Sequence, residues 1–321
     1  MSAKLSWPYA NAVEPAVYSG DYNWPKISII TPSYNQGAFI EETILSVLNQ
    51  NYPNLEYLVI DGGSSDGTVD ILKKYGSRLD YWISEPDRGQ SHALNKGLGI
   101  ATGEIVGYLN SDDCLLKEAL HVVAGTFNDF RKKSGRPVIL SGHALLGNTI
   151  AGSKDIFFSQ HGDWSLSGVA AGYGICPQPS TFWTKSNVLF DEQLKFCMDF
   201  DYWVRLVRAD YQYVNIDSSL SFYRIHDSAK GSTMTDIMWL ELAGLSFMHA
   251  GLTEDVEERS AILRSYKYKL RNYFLTVLKK ADGPRGRAAL LKKIAGIVLS
   301  HPGLCLNAGF LRAALALLLR G

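Results

Sequence analysis

Two adjacent carboxylates, Asp112 and Asp113, stand directly after an apolar run at residues 105–109. Such a run is typical of a buried strand, and the carboxyl ends of parallel strands are where open α/β sheets bind ligands. Two like charges in such a place repel each other unless a cation or a reaction uses them. A hard divalent cation is the simplest explanation. Asp113 has two further interpretations, a support for Asp112 and the N-cap of a helix near Lys117.

A second pair of carboxylates, Asp199 and Asp201, lies two residues apart in a segment that predicts a helix. Phe200, Val204 and Val207 have the spacing of the buried face of that helix, and the two carboxylates cannot share one face. An ionised carboxylate in this position can accept a proton from a substrate hydroxyl. The alternative is that Asp199 caps the helix, where the helix dipole stabilises an anion. Capping does not exclude catalysis, because a base must be ionised to act.

Short apolar runs alternate with helical patterns from residue 26 to about residue 113, which predicts a parallel sheet built from βα units. The predicted strands are residues 27–31, 57–60, 81–84 and 105–109, and the predicted helices are residues 38–49, 68–75 and 90–101. Polar residues suited to a site occupy the loops after these strands, at residues 32–37, 61–67, 85–89 and 110–113. A further strand is predicted at residues 138–141, and from about residue 236 the pattern is helical.

The charge is distributed unevenly along the chain of 321 residues, although the net charge is zero. Residues 259–321 contain 13 Lys and Arg and one acidic residue, so this segment carries +12 and the first 258 residues carry −12. The zero balance argues against a nucleic-acid-binding protein. The basic, apolar segment fits either a helix on anionic lipid or one that packs on the rest of the chain or on a second subunit. A spanning helix at residues 294–311 is disfavoured, because the His-Pro-Gly sequence at 301–303 would break it.

The chain carries no sequence sign of secretion. Its four cysteines form no paired Cys-x-x-Cys spacing, which suits a reducing compartment. Residues 1–26 contain charged residues and prolines and lack the continuous apolar segment that a secretory signal requires. We therefore expect a cytoplasmic protein, either free or peripheral at the inner face of the membrane.

Six motifs occur in the order seen in family 2 glycosyltransferases, and the chain resembles these enzymes over about residues 26–230. The motifs are Thr31-Pro-Ser-Tyr-Asn35, Ile60-Asp-Gly-Gly-Ser-Ser-Asp-Gly-Thr68, Glu85-Pro-Asp-Arg-Gly89, Ala93-Leu-Asn-Lys-Gly97, Leu109-Asn-Ser-Asp-Asp113 and Met198-Asp-Phe-Asp-Tyr-Trp-Val-Arg205. Each motif alone is a weak signal, whereas six in order at similar spacing are specific. The resemblance implies a GT-A-type, Rossmann-like α/β fold, in which a mostly parallel central sheet is flanked by helices and followed by a C-terminal helical extension.

We expect three regions: an N-terminal extension at residues 1–25, a nucleotide-sugar-binding catalytic domain at 26–235, and a basic, amphipathic helical region at 236–321. The resemblance implies donor-binding roles for Thr31, Pro32, Tyr34, Asp61, Asp87, Asn95, Asn110, Ser111, Arg224 and Lys230. It implies a Mn²⁺ or Mg²⁺ site at Asp112, Asp113 and His226, and an acceptor-side loop at Gln178 and Ser180. By the family motif, Asp199 matches the catalytic base, with Asp201 as the fallback.

Simpler structural roles stay open for several of these residues. Asp61 lies in Asp-Gly-Gly, which is also turn chemistry, and Asp66 is either a helix cap or a ligand contact. A lone histidine such as His226 is usually structural. The chain also departs from the family at two positions. Asn110 replaces the first aspartate of the usual Asp-x-Asp metal motif and contributes no charge, and Met198 replaces the glutamate that often precedes the base.

The predicted function is that of a metal-dependent, inverting glycosyltransferase. It would move a sugar from a nucleoside-diphosphate sugar to a hydroxyl of a carbohydrate or lipid-linked glycan acceptor, in polysaccharide, lipopolysaccharide or glycan assembly. The alternative is a non-catalytic nucleotide-sugar- or carbohydrate-binding protein, which the departure at Asn110 supports. A sugar nucleotidyltransferase is disfavoured, because residues 32–36 supply no Gly- and Arg-rich phosphate loop. A dinucleotide dehydrogenase is disfavoured too, because no G-x-G-x-x-G follows the first strand.

Overall fold

The computed structural model describes residues 7–19, 22–150, 154–156, 164–172, 176–227 and 229–280. Contacts divide the chain into two compact units. The first, which we name the sheet unit, comprises Met1–Gly162 and Ile175–His226, and the second, the helical unit, comprises Asp163–Gly174 and Asp227–Gly321. The helical unit thus begins before residue 236, where the sequence pattern becomes helical, and it includes a short stretch of the preceding chain.

The sheet unit contains a mixed sheet of nine strands among the described residues. They are β1 (Ile27–Ser33), β2 (Leu55–Asp61), β3 (Tyr81–Ser84), β4 (Ile105–Tyr108), β5 (Cys114–Leu115), β6 (Val138–Gly147), β7 (Lys154–Ile156), β8 (Thr181–Thr184) and β9 (Gln212–Arg224). The order is β3-β2-β1-β4-β8-β6-β9-β5, with β7 paired to β6. Strands β3, β2, β1 and β4 are parallel neighbours, and β8 is antiparallel to both β4 and β6. The predicted mostly parallel sheet is confirmed.

Helices follow the parallel strands as the alternating pattern predicts. The sheet unit contains α1 (Ile40–Leu48), α2 (Thr68–Tyr75), α3 (Gln90–Ile100), α4 (Ala119–Lys133) and α6 (Met198–Arg208). The helical unit contains α5 (Leu166–Ala171), α7 (Lys230–Thr233), α8 (Thr235–Gly251) and α9 (Val256–Lys280). The last part of the region with a helical pattern, residues 281–321, which includes the apolar segment at 294–311, lies outside the described residues. None of the helices in the described part of the chain has the length and apolarity needed to cross a membrane.

The central strands are buried, which explains why they appear in the sequence as nearly continuous apolar runs. β1 is buried at every position, and β2 is buried after its first residue. Helix α3 packs closely on β1 because Gly97 leaves room for the side chain of Ile30. A Cβ atom at Gly97 would lie 2.5 Å from Cγ2 of Ile30. This close packing fixes the helix that begins at Gln90 against the middle of the sheet.

The segment before β1 belongs to the core of the sheet unit. Val13 is fully buried, and Tyr18 packs edge-on against Trp24. The Trp7 indole donates a hydrogen bond of 2.8 Å to the carbonyl oxygen of Leu115. The described part of residues 1–25 is therefore an integral part of this unit.

A buried carboxylate joins three segments at the amino-terminal end of the strands. Glu56 accepts hydrogen bonds from Nζ of Lys26 at 2.8 Å, from the hydroxyl of Ser28 at 2.5 Å and from the backbone N–H of Thr102 at 2.6 Å. Burial opposes ionisation, but these hydrogen bonds outweigh it and lower the pKa of Glu56 to about 2. The ionised carboxylate is therefore the form that stabilises the fold.

We expect Glu56→Gln to lower the free energy of unfolding by about 2 kcal/mol at pH 7, because hydrogen bonds to a charged group are stronger than neutral ones. In the wild type the pKa of this carboxyl is depressed on folding. Its contribution is complete above the ordinary value near 4.5 and is lost as the pH falls towards 2. Urea unfolding at pH 7 and pH 3 measures both effects. A variant whose stability depends on pH as steeply as that of the wild type contradicts this assignment.

Candidate active site

The carboxyl ends of the parallel strands meet at one edge of the sheet. The register aligns Ser33, the last residue of β1, with Asp61, the last residue of β2. Thr31 and Pro32 are buried within β1, whereas Tyr34 follows the strand and is 62% exposed. Among the nucleoside-binding residues predicted in this segment, Tyr34 therefore offers the accessible ring.

Asp61 organises the loop after β2. Its carboxylate accepts hydrogen bonds from the backbone N–H groups of Gly63 at 3.1 Å and Ser64 at 2.9 Å. It also accepts hydrogen bonds from the hydroxyls of Ser64 at 2.5 Å and Ser84 at 2.6 Å. This is the turn role that its Asp-Gly-Gly sequence left open. Both oxygens bind donors of the protein itself, and a contact between Asp61 and the base of a sugar donor stays a prediction.

Asp87 lies beside the same loop. One carboxylate oxygen accepts a hydrogen bond from the N–H of Gly89 at 2.7 Å, and the other would lie 2.9 Å from a Cβ atom at Gly62. Gly89 has a φ of 114°, which favours glycine, directly before α3 begins. The Asp66 carboxylate accepts hydrogen bonds from the N–H and the hydroxyl of Thr68, the first residue of α2, while Gly67 occupies the N-cap position. The glycines thus allow the partly exposed Asp87 to approach the loop after β2.

Asp112 and His226 form a close pair where the chain leaves β4 and β9. Oδ2 of Asp112 lies 3.0 Å from Nε2 of His226, and the two side chains are 21% and 14% exposed. The Phe39 ring packs on the imidazole, with 4.7 Å between ring centres. Two neighbouring ligands of one octahedral Mg²⁺ or Mn²⁺ lie about 3 Å apart, because each is about 2.1 Å from the ion. The two side chains are hydrogen-bonded to each other, and their spacing is also one that two ligands of a single ion can have.

The chemistry of these two side chains fits a divalent ion that has few protein ligands. Within the described ranges, no group of three His, Cys, Asp or Glu side chains is arranged to hold a metal. Mg²⁺ and Mn²⁺ commonly bind one or two carboxylates and complete their octahedron with phosphate and water oxygens. One oxygen of Asp112 and one nitrogen of His226 would leave positions for the oxygens of a diphosphate.

Asp113 supports the turn behind Asp112. One of its carboxylate oxygens accepts a hydrogen bond from the backbone N–H of Arg224 at 2.9 Å, and the other accepts one from the amide of Asn110 at 3.3 Å. Burial, followed by the charge of Asp112, raises the pKa of Asp113 well above its ordinary value. The N-cap interpretation is wrong, because strand β5 intervenes before α4 begins. The geometry favours the supporting role over direct metal ligation.

Arg224 is buried, and its guanidinium forms hydrogen bonds with three different segments of the chain. Its Nε donates a hydrogen bond to the carbonyl oxygen of Asp112 at 2.8 Å. Its terminal nitrogens donate to the carbonyl oxygen of Asn148 at 3.1 Å and to the carboxylate of Glu42 at 2.5 Å. The central carbon of the guanidinium lies 5.2 Å from the centre of the Phe39 ring. Its guanidinium thus holds the turn that carries Asp112, and a contact between Arg224 and a diphosphate stays a prediction.

Asn110 takes part in a network of side-chain amides. Its oxygen accepts a hydrogen bond from Nε2 of Gln90 at 2.7 Å, and its nitrogen donates to Oε1 of Gln178 at 3.0 Å. Gln178 in turn donates to the carbonyl oxygen of Tyr108 at 2.7 Å. An amide can both donate and accept, whereas a carboxylate can only accept. The network therefore explains why an uncharged residue stands at the first position of the metal motif.

Asp199 and Asp201 have different surroundings. Asp201 is buried, and its carboxylate forms an ion pair with Arg205, with 2.6 Å between the two atoms. Asp199 lies in the first turn of α6 and is partly exposed. A helix N-terminus stabilises an anion there. Of the two, Asp199 is the carboxylate that a substrate hydroxyl can approach.

Tyr223, on β9, lies near both acidic groups. Burial and then the charges of Asp113, Asp112 and Asp199 raise its pKa to about 12. Burial and then the charge of Asp199 also raise the pKa of Tyr108, the last residue of β4. The charges of the candidate base Asp199 and of the candidate metal ligand Asp112 therefore both raise the pKa of Tyr223.

Four other predicted site residues are placed differently. Ser180 is fully buried and hydrogen-bonded to strands β6 and β9. Both polar groups of the Asn95 side chain bind the backbone of Phe190. Ser111 is buried, and Lys230 is the first residue of α7 in the helical unit. Contacts of these residues with a donor or an acceptor stay predictions.

Three side chains of the site were not predicted from the sequence. Phe39 packs on the imidazole of His226, Gln90 holds Asn110, and Tyr223 lies among the carboxylates. Gln90 could have been identified from the sequence, because it begins a helix that directly follows a loop at the end of a strand. Phe39 and Tyr223 carry no such signal, because isolated aromatic residues are common in protein cores.

Residues 28–134 match the family model described as Glycosyl transferase family 2. The resemblance to this family is confirmed. TuaG, a glycosyltransferase of Bacillus subtilis, is 43% identical over 102 residues, which cover 30% of this chain and 40% of TuaG. WfgD of Escherichia coli, a UDP-Glc:alpha-D-GlcNAc-diphosphoundecaprenol beta-1,3-glucosyltransferase, is 34% identical over 131 residues, 40% of this chain and 52% of WfgD. The chain thus spans about half or less of these two relatives, and the predicted enzyme class agrees with theirs.

A solved mannosyltransferase, PcManGT of Pyrobaculum calidifontis in complex with GDP-Man and Mn²⁺, has the same fold as this chain. The TM-score is 0.58 at 19% sequence identity, and the similarity covers 93% of this chain and 88% of PcManGT. At this level of identity the similarity concerns the fold alone. The predicted GT-A-type fold is confirmed.

Proposed function

We propose that the chain is a metal-dependent, inverting glycosyltransferase that moves a sugar from a nucleoside-diphosphate sugar to an acceptor hydroxyl. One observation carries the proposal. The candidate metal pair and the candidate base occur in one region, since consecutive residues at the start of α3 contact both segments. Gln90 donates to Asn110, two residues before Asp112, and the Ser91 hydroxyl lies 2.9 Å from Sδ of Met198, the residue before Asp199. A metal ligand pair and a second, partly exposed carboxylate are the groups that such a transfer needs.

Asp112 and His226 would hold Mn²⁺ or Mg²⁺, which when bound would stabilise the diphosphate leaving group. Asp112 supplies the negative charge, and Arg224 holds its backbone in place through the bond from Nε. The spacing of 3.0 Å between Asp112 and His226 supports this assignment. PcManGT, which shares the fold, was solved with Mn²⁺.

Asp199 would act as the general base. The acceptor hydroxyl gives its proton to the Asp199 carboxylate while its oxygen attacks the anomeric carbon from the face opposite the nucleotide. The bond between the anomeric carbon and the diphosphate oxygen breaks, and the diphosphate leaves with the electron pair. The products are a glycoside of inverted configuration and a nucleoside diphosphate. The first turn of α6 favours the ionised carboxylate that this step requires.

The nucleoside of the donor would bind at the ends of β1, β2 and β3. Tyr34 offers an exposed ring on which a base can stack, and Asp87 offers a partly exposed carboxylate for the ribose or base. Thr31 and Pro32 would form the floor below them, and Asp61 would hold the shape of the loop. The absence of a side chain at Gly62 allows Asp87 to lie in this place.

A lipid-linked glycan is the acceptor class that we propose. WfgD, by its name, uses a diphosphoundecaprenol-linked sugar, and such an acceptor is found at a membrane surface. In the helical unit, α8 exposes Leu240, Phe247, Met248 and Leu252, the last just beyond its end, while α9 exposes Arg264 and other basic residues. Apolar and basic side chains of this kind favour peripheral binding to anionic lipid.

Sedimentation with lipid vesicles tests the membrane proposal. The full chain is expected to sediment with phosphatidylglycerol vesicles and to stay in solution with phosphatidylcholine vesicles, because the basic charge needs an anionic surface. The double variant Phe247→Ser and Met248→Ser is expected to bind the anionic vesicles at least several-fold more weakly. Equal binding of the wild type to both lipids, or to neither, contradicts the proposal.

A panel of UDP-, GDP- and dTDP-sugars tests the catalytic function. With Mn²⁺ and a carbohydrate acceptor, one donor is expected to release nucleoside diphosphate and to give a product of inverted anomeric configuration by NMR. Asn110, which lacks the charge of the usual metal motif, favours the alternative of a non-catalytic nucleotide-sugar-binding protein. Tight binding of a donor without release or transfer would establish that alternative.

A further inference from the structure

Helix α3 contacts both segments that carry the acidic groups of the site. At its start, Nε2 of Gln90 donates to Oδ1 of Asn110 at 2.7 Å, two residues before Asp112. In the next position, the Ser91 hydroxyl lies 2.9 Å from Sδ of Met198, the residue before Asp199. Because α3 is packed closely on the sheet at Gly97, it is a rigid reference for both segments.

Asn95 lies one helical turn beyond Ser91. It attaches α3 to Phe190, which precedes the segment that carries Asp199. Its Oδ1 accepts a hydrogen bond from the N–H of Phe190 at 2.8 Å, and its Nδ2 donates to the carbonyl oxygen of the same residue at 3.0 Å. The side-chain amide thereby pairs with this backbone as a neighbouring strand would. Nδ2 also lies 3.2 Å from the carboxylate of Glu192, which forms an ion pair with Arg88 at 2.6 Å.

Phe190 transmits this attachment to the helix that carries Asp199. Its ring stacks on Tyr202 of α6, with 4.1 Å between ring centres and 15° between the ring planes. The neighbouring carbonyl oxygen of Leu189 accepts a hydrogen bond from Arg205 of α6 at 2.7 Å. The chain of contacts therefore runs from α3 through residues 189–190 to the buried face of α6.

We infer that Asn95 is a positioning residue for the base Asp199, which it fixes through Phe190 and α6. This role replaces the donor contact that the family resemblance implies for Asn95, because both polar groups of its side chain bind the backbone of Phe190. The inference rests on the proposed function, in which Asp199 takes the proton of the acceptor. Proton transfer in the reacting complex depends strongly on placement, so a small displacement of the base lowers turnover. The binding of the donor, on the opposite side of the reacting carbon, depends much less on the position of Asp199.

The test compares Asn95→Ala with the wild type in steady-state kinetics and in hydrogen exchange. We expect kcat to fall about 10-fold and the KM for the donor to change less than about 2-fold. Backbone amides of residues 188–201 are expected to exchange faster. The matched control is Asn128→Ala. Asn128 lies on α4, and its buried side-chain amide donates to the carbonyl oxygen of Asn23 at 3.0 Å, so the hydrogen bond that is lost does not involve residues 188–201. This variant is expected to retain the kcat of the wild type.

A second variant keeps the inference testable if Asn95→Ala does not fold. Asn95→Gln retains both the donor and the acceptor of the amide but displaces them by one methylene group, so we expect a smaller loss of kcat with the same split from KM. An unchanged kcat, or a raised donor KM at unchanged kcat, overturns the inference. If the wild type turns over no donor, the proposed function fails, and unchanged exchange at residues 188–201 would then overturn the positioning role separately.

Discussion

Asp199→Asn is expected to lower kcat about 10³-fold, within the range of about 10²- to 10⁴-fold for a lost general base, while donor affinity stays within about 2-fold. Asparagine has nearly the same shape as aspartate but cannot accept the proton of the acceptor hydroxyl. Residue 199 lies in the first turn of α6, and the substitution requires no change in the backbone there. Nucleoside diphosphate release measures kcat, and calorimetry measures donor affinity.

Two variants make this result specific. Asp70→Asn changes an exposed carboxylate that also lies in the first turn of a helix, α2, and is expected to leave kcat unchanged. Asp201→Asn breaks the ion pair with Arg205 and is expected to act on stability first. If folded Asp201→Asn loses turnover while Asp199→Asn retains it, the assignment of the base is wrong.

Asp112→Asn and His226→Ala are each expected to lower nucleoside diphosphate release at least about 10²-fold, since a metal at a leaving group contributes several kcal/mol. Activity of either variant should respond little to added Mn²⁺. The double variant is expected to be hardly worse than the single ones, because the two side chains form one site and their effects are not additive. The measurement is turnover against Mn²⁺ concentration.

Asp129→Asn, an exposed carboxylate on α4, is the control for the loss of one negative charge. It is expected to keep the turnover and the Mn²⁺ response of the wild type. Additive losses in the double variant, or a wild-type response to Mn²⁺ in Asp112→Asn, would mean that Asp112 and His226 do not share an ion.

The first half of the fold could be predicted because its signals are local. β1 and β2 are buried apolar runs. Helices α1, α2 and α3 follow β1, β2 and β3, and their ends lie within two residues of the predicted ends. The second half could not be predicted in this way. β9 is 13 residues long and has a mixed pattern of buried and exposed positions, because it pairs parallel to β6 and changes register along its length.

For the candidate site, the sequence predicts residue types and positions, but it does not determine the partners of these residues. Asp61 and Arg224 lie at the expected edge of the sheet, yet their polar groups bind the protein itself. Which partner a charged side chain takes depends on chain segments that are distant in sequence, such as Glu42 for Arg224. Asn95 shows the same limit, because its partner Phe190 lies 95 residues away.

Calorimetric titration of the donor identified in the panel, with Mn²⁺ and then with EDTA, tests the central claim most directly. For the wild type, we predict that Mn²⁺ raises donor affinity at least about 10-fold, because Asp112 and His226 would hold the ion and its charge would stabilise the bound diphosphate. For Asp112→Asn, we predict the same weak affinity with and without the ion. Equal affinity of the wild type in Mn²⁺ and in EDTA would contradict the account.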